Sequence, residues 1–304
     1  MPCHGPFSLP TRPEGPLCYN TRVGILYLVA TPIGNLEDIT LRALRILREV
    51  NLIAAEDTRH TRKLLTRYEI KTPLISYHEH NKEARLGELL GRLASGSSIA
   101  LVSDAGTPGL SDPGYELVCA ALDAGYTVTP IPGPAAPIAA LVASGLPTDA
   151  FVFLGYLPRK ASENNRLLSG LITERRTILA FEVPHRLRAT LAAMEHAFGP
   201  DRPVAVCREL TKLHEEIRRG SLSEVRAHFE SAEPRGEITL VIGAGDSALA
   251  WDEQAVREAV AQRMSRGLRR SEAAREVAAE AGWPRSKVYR LAEELHPEPV
   301  EGRE

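Results

Sequence analysis

The stretch Ser97 to Gly114, SSIALVSDAGTPGLSDPG, does most to limit what this chain can fold into. Ile99, Ala100, Leu101 and Val102 form a short unbroken apolar run, which suits a strand buried on both faces. Asp104, Gly106, Thr107, Pro108, Gly109, Ser111, Asp112, Pro113 and Gly114 follow, nearly all of them turn formers. A polar loop at the carboxyl end of a parallel strand lies where open α/β sheets bind ligands, although an ordinary βα connection reads the same way. Gly106 and Gly109 have no side chain to hold a ligand off the backbone amides, while Pro108 and Pro113 stiffen the loop. No Gly-Lys-Ser/Thr follows and no G-x-G-x-x-G is present, so the loop points to a nucleoside-type ligand gripped by backbone rather than to a triphosphate.

Similar units lie on either side. Ile25 to Val29 reads as a buried strand running into ATPIGNLED, after which Asp38 or Thr40 can cap a helix with Leu41, Leu44 and Leu47 on one face. Strands are expected at Leu52 to Ala55, Pro73 to Ser76 and Thr127 to Ile131. Helices are expected through Leu86, Leu89, Leu90 and Leu93, around Tyr115 to Ala124, and in PGPAAPIAALVASGLP, where Gly133 and Pro134 open one. This alternation predicts a mostly parallel sheet with helices on both faces. A second α/β unit follows, with strands near Phe151 to Gly155, Thr177 to Phe181, Pro203 to Cys207 and Glu237 to Gly243. Two such units in tandem predict a ligand cleft between them. From Trp251 the pattern is helical alone: Val256, Val260 and Met264 mark one helix, and Ala274, Val277 and Ala278 a second. After Gly282-Trp283-Pro284 a third, capped by Ser286, carries Val288, Leu291 and Leu295, which together make a helix-turn-helix pattern. The expected organisation is a disordered extension over 1–22, an N-terminal α/β domain over 23–147 and a C-terminal α/β domain over 148–246. A small helical module over 251–295 and a loose tail over 296–304 complete it.

Composition narrows the partners. A net charge of −2 gives no global nucleic-acid signature, so any basic patch is local, and 5% aromatic residues argue against a stacking platform for single-stranded RNA. Cys3, Cys18, Cys119 and Cys207 form no C-x-x-C pair, which fits free thiols in a reducing cytoplasm. No apolar run is long enough to span a bilayer, and the proline-rich start lacks the apolar core of a secretory signal.

Four polar clusters fall at expected strand ends: Glu56 to Lys63, Tyr77 to Asn81, Glu182 to Arg186 and Arg208 to Glu216. One such cluster is usually a solvated loop; four mixing His, Arg and carboxylates suggest a shared use. None has zinc-like spacing, so no metal is expected, and neither a G-x-S-x-G elbow nor a cysteine with a base beside it appears. Group transfer from a bound donor remains. Arg59, Arg62, Lys63 and Arg67 can track phosphates or form one solvated helix face.

The phrases VATPIGNLEDIT, AAEDTRHTRKLL, LISYHEHN, LVSDAGTPGLSDPG, PGPAAPIAALVASGLP, FLGYLPRK, FEVPHRL, RELTKLHEE and RGEITLVI occur in that order. Together, over about Gly24 to Gly243, they resemble the bacterial small-subunit ribosomal RNA methyltransferases of the tetrapyrrole methylase superfamily. The resemblance implies two α/β domains with a donor in the cleft between them. It also implies S-adenosylmethionine as donor, the ribose 2′-hydroxyl of a decoding-region cytidine in 16S rRNA as acceptor, and a cytoplasmic homodimer with no membrane or DNA partner. Carried onto this chain, donor contacts fall on Ile33, Asp104, Ala105, Gly106, Thr107, Gly109, Ala135 and Ala136, and on backbone near Glu182 and Leu210. Ala135 and Val183 stand where relatives usually carry Ser. Asp57, Glu182 and Glu209 are candidate general bases, and Arg59, Lys63, Arg159, Lys160, Arg186 and Lys212 candidate RNA-phosphate contacts. A tetrapyrrole or corrinoid methyltransferase, and a DNA-binding regulator using the terminal helices, are the competing readings.

Overall fold

A computed structural model describes residues 24–231, 234–245, 253–281 and 283–295. The expected extension over 1–22, the tail over 296–304, and Gly282 lie outside the described residues. The chain divides into two compact units, one up to Ala135 and one from Ala136.

The first unit holds β1 (Ile25–Val29), β2 (Leu52–Ala55), β3 (Leu74–Ser76), β4 (Ile99–Val102) and β5 (Thr127–Ile131) in the order β3-β2-β4-β1-β5. Every pairing is parallel. All five carboxyl ends therefore emerge at one edge, and the loops that follow them share it. Four helices cover the sheet: α1 (Leu41–Glu49), α2 (Thr58–Arg67), α3 (Lys82–Ala94) and α4 (Tyr115–Asp123). Alternate residues of each strand face opposite sides. Ile53, Ala55, Ala100 and Val102 pack with Leu44, Leu47, Leu64 and Leu65 of α1 and α2, while Leu52, Ala54, Ile99 and Leu101 pack with Leu89, Leu93, Leu117 and Ala121 of α3 and α4. That is why β2 and β4 are apolar at every position. Thr40, not Asp38, caps α1: its hydroxyl accepts from the Ala43 amide at 3.1 Å, and Asp38 ends a separate 3-10 turn.

The second unit begins with α5 (Ala136–Ser144), two residues after the expected helix start, so Gly133 and Pro134 stay in the preceding loop. Then come β6 (Phe151–Tyr156), α6 (Ala161–Ser169), β7 (Thr177–Glu182), α7 (Pro184–Phe198) and β8 (Pro203–Arg208), followed by β9 (Glu216–Ser221), α8 (Leu222–Ser231) and β10 (Ile238–Ile242). The order is β6-β7-β10-β8-β9, and only β6 and β7 run parallel. Two of these elements escape the sequence reading. The strand β9, EIRRGS, sits at the sheet edge and pairs only with β8, so it buries no apolar face that would print an alternation. The helix α8 does carry a signal, Leu222, Val225 and Phe229, all buried. α5 packs against this second sheet: the Arg219 guanidinium donates to the Ala143 carbonyl at 3.0 Å, and Cys207 lies 4.0 Å from the Ala140 carbonyl. The unit boundary accordingly falls twelve residues before the expected 147.

Three further helices, α9 (Glu253–Ser265), α10 (Arg270–Ala281) and α11 (Arg285–Leu295), share one small core of Val256, Val260, Ala274, Val277, Val288 and Leu291. Ser286 is not the cap of α11. The helix starts one residue earlier, and the Pro284 carbonyl takes the first amides, from Lys287 at 2.9 Å and Val288 at 3.2 Å. Among the described residues no helix is long and apolar enough to cross a membrane.

Candidate functional site

The loops at the carboxyl edge of the first sheet are bonded to one another. Thr31, just past β1, exchanges backbone hydrogen bonds with Gly106, past β4, at 2.8 and 3.0 Å. The Thr31 hydroxyl donates to the Ser103 carbonyl at 3.2 Å, and the Thr107 hydroxyl reaches the Pro134 carbonyl, past β5, at 3.4 Å. The Asp57 amide, past β2, donates to Asp104 Oδ1 at 2.9 Å. Four loops far apart in sequence thus form one cradle, centred on the glycine-rich loop. Gly106 has φ +81° and Gly109 φ +79°, conformations that L side chains resist. A Cβ on Gly106 would stand 3.4 Å from the Ile33 side chain, so space is adequate there and the backbone angle is the constraint.

Of the expected donor residues in this unit, Ile33 and Gly106 are buried, Asp104, Ala105 and Ala135 are half-buried, and Thr107 and Gly109 are exposed. The bonds just described join Asp104, Gly106 and Thr107 to neighbouring loops, and the Ile33 side chain lies against Gly106. Asp104 Oδ1 is committed to the Asp57 amide. Beside it stands Glu56, absent from the expected site residues. Burial, then the charge of Asp104, push its carboxyl above the ordinary 4.5, while the Asp104 amide and His78 pull the other way. Glu56, His78 and Asp104 follow β2, β3 and β4, which are neighbours only in the sheet order β3-β2-β4. That adjacency is invisible in sequence; the one local hint is that Glu56 directly follows the fully apolar LIAA. Asp57 has a different job. It caps α2, its carboxylate accepting from the Arg59 amide at 2.7 Å, and that bond with the Arg59 side chain holds its pKa below the usual value.

In the second unit the strand-end charges are satisfied internally. Glu182 closes β7 with a side chain at 0% exposure. It accepts from the Val183 amide at 2.8 Å, from Arg186 at 2.9 Å and from the Thr190 hydroxyl at 2.5 Å. Arg186 also donates to the Leu157 carbonyl at 2.9 Å. Glu209 accepts from Lys212 at 2.8 Å and the Glu237 amide at 3.0 Å; burial alone would raise its pKa, but these bonds leave it lowered. The turn is strained, with Glu209 at φ 50° and Thr211 at φ 66°, and it leaves the Leu210 side chain buried between them. Ala136 opens α5, half-buried. Arg159, Lys160, Arg59 and Lys63 are exposed, with Lys160 paired to Glu163 at 3.0 Å and Arg59 to Asp57 at 3.4 Å, and Arg186 and Lys212 are tied to carboxylates in less exposed positions.

An all-parallel sheet with such a loop cradle, followed by a mixed sheet, matches the family model described as Tetrapyrrole (Corrin/Porphyrin) Methylases over residues 25–226. The chain belongs to that family. It is 51% identical over 275 residues to a ribosomal RNA small subunit methyltransferase I from Synechocystis sp., covering 90% of this chain and 99% of that one. A protein of the same name from Thermotoga maritima is 50% identical over 220 residues, 72% of this chain but 98% of that one. Among solved structures, a uroporphyrin-III-C-methyltransferase from Thermus thermophilus superposes with a TM-score of 0.54 at 24% identity, covering 72% of this chain and 94% of that one, a likeness of fold.

Proposed function

We propose that this chain methylates the ribose 2′-hydroxyl of a cytidine in the decoding region of 16S rRNA, within the small ribosomal subunit, as a cytoplasmic homodimer. It is an S-adenosylmethionine-dependent methyltransferase. The observation that carries the RNA reading is the near-full-length 51% identity to a protein named for that substrate; the choice of cytidine and ribose oxygen follows the motif resemblance. The cradle fits the donor: Ile33, Ala105 and Ala135 offer apolar surface, Gly106 and Gly109 carry no side chain to hold a ligand off the loop, and Asp104 with Glu56 sets a negative field for a cationic ligand. S-adenosylmethionine supplies a methyl already activated on a sulfonium.

The chain's own residues then position and deprotonate. Ile33, Asp104, Ala105, Gly106, Thr107, Gly109 and Ala135 hold the donor, and Ala136 and the backbone at Glu182 and Leu210 are the further donor contacts that the motif resemblance implies. Orientation of the acceptor oxygen supplies much of the rate. Glu56 is better placed to take the hydroxyl proton than Asp57, Glu182 or Glu209, because its raised pKa makes it the stronger base while those three are spent on amides and cations. Arg59, Lys63, Arg159 and Lys160 meet RNA phosphates, while Arg186 and Lys212 keep their strand ends in place.

Mapping 2′-O-methyl positions in 16S rRNA from cells with and without the protein tests the reading. One decoding-region cytidine is expected to lose its methyl group and to regain it when purified protein and donor are added. An unchanged map, or transfer to a tetrapyrrole instead, overturns it.

A further inference from the structure

The three C-terminal helices lie beyond residue 226, where the family match ends, and the Thermotoga maritima relative is spanned almost whole by 72% of this chain. A module that a relative of the same name does without is separable from the chemistry and available for binding. Part of its charge is paired internally. Arg257 pairs with Glu253 and with Glu294, and Arg263 with Glu276, all across or along the bundle. Arg285, Lys287 and Arg290, in the first half of α11, are exposed and pair with no carboxylate among the described residues. Val288, Leu291 and Ala292 are buried and fix the rotation of the helix, which puts Arg290 on its outer face and Arg285 and Lys287 on its two flanks. The Lys287 ammonium sits 3.8 Å over the Trp283 ring, which holds the charge in place without neutralising it.

We infer that Arg285, Lys287 and Arg290 form a phosphate-binding surface for double-stranded RNA, extending the footprint of the proposed rRNA substrate; this rests on the reading above. Two features select RNA duplex over DNA. A helix reading DNA lies along the major groove, and Glu293, on the exposed face of α11 just past these cations, would be carried in with it. A-form RNA has a major groove too deep and narrow for a helix, so contact falls on phosphates and 2′-hydroxyls at the duplex surface, which exposed cations of α11 can make without entering a groove. The positive end of the helix dipole adds to the same face.

The test uses the full chain with Arg285→Ala, Lys287→Ala and Arg290→Ala combined, probed by anisotropy on a 16S rRNA decoding-region hairpin and on a DNA duplex of equal length. RNA affinity is expected to fall about tenfold near 0.1 M salt, with the log–log salt slope reduced by about 0.9 for each lost contact. Donor affinity by calorimetry and the melting temperature are expected to hold. Unchanged RNA affinity in the folded variant, or a loss confined to DNA, overturns the inference. A parent protein that fails to methylate 16S rRNA at all would instead count against the proposed function, so the two failures are separable.

Discussion

The two α/β units treat strand-end charge in opposite ways. In the first, parallel strands bring every carboxyl end to one edge, and the loops are joined mainly through backbone: Thr31 to Gly106, the Asp57 amide to Asp104. Side chains such as Glu56 and Lys63 take no part in these bonds. In the second, only β6 and β7 run parallel, and charged ends meet partners from neighbouring elements. Glu182 is bonded to Arg186 and Thr190, Arg208 to Glu216 and then His228, Lys212 to Glu209 and Glu237. Similar-looking clusters in sequence therefore divide into one open set and one closed set.

Breaking the closed set should cost the most. Glu182→Ala leaves the Thr190 hydroxyl buried without its partner and Arg186 half-paired, a loss expected at about 3 kcal/mol in chemical denaturation. A change below about 0.5 kcal/mol would show that the closed set is not structural.

The open set should respond in activity instead. Glu56→Gln is expected to slow methyl transfer by about 100-fold with donor affinity retained. The sign of the pH effect follows from the raised pKa. The ionised carboxylate is the active base, so the parent rate climbs with pH through a midpoint above 4.5, and the variant loses that limb. Stability moves the other way: a raised folded pKa means stabilisation present at low pH is lost as pH rises through it, so the Gln variant should be at least as stable as the parent near neutrality. An unchanged rate profile would remove Glu56 from the chemistry.

The smallest effect sharpens the comparison at the cradle itself. Gly106→Val puts a branched side chain at φ +81°, with strain of about 1–2 kcal/mol shared between fold and ligand. Donor affinity by calorimetry should drop about tenfold while the chain stays folded. Full affinity in that variant would show that the donor does not depend on this loop.

Much of this was legible in the chain. Unbroken apolar runs such as LIAA and IALV can only be buried on both faces, which requires a sheet covered on both sides, and turn-rich sequence after Val102 must form a loop at the carboxyl end of that strand. Leu86, Leu89, Leu90 and Leu93 print α3 by their spacing. The tertiary structure alone decided what depends on distant neighbours. The edge strand β9 has no apolar alternation to read, and the antiparallel course of the second sheet rests on pairings across the whole unit. Which carboxylate is poised followed from strand order: Glu56 gains its raised pKa from burial first and then from the charge of Asp104, which the pairing of β2 with β4 brings beside it. Glu294, which by sequence adds to the acidic end of α11, is turned onto Arg257 of α9 and leaves the cations of the first turns less opposed. Local pattern fixes which faces are buried, because hydrophobic period acts over a few residues; charge is settled by whatever the fold brings within a few ångströms, because the energy of an ion depends on its nearest partners and on its exclusion from water.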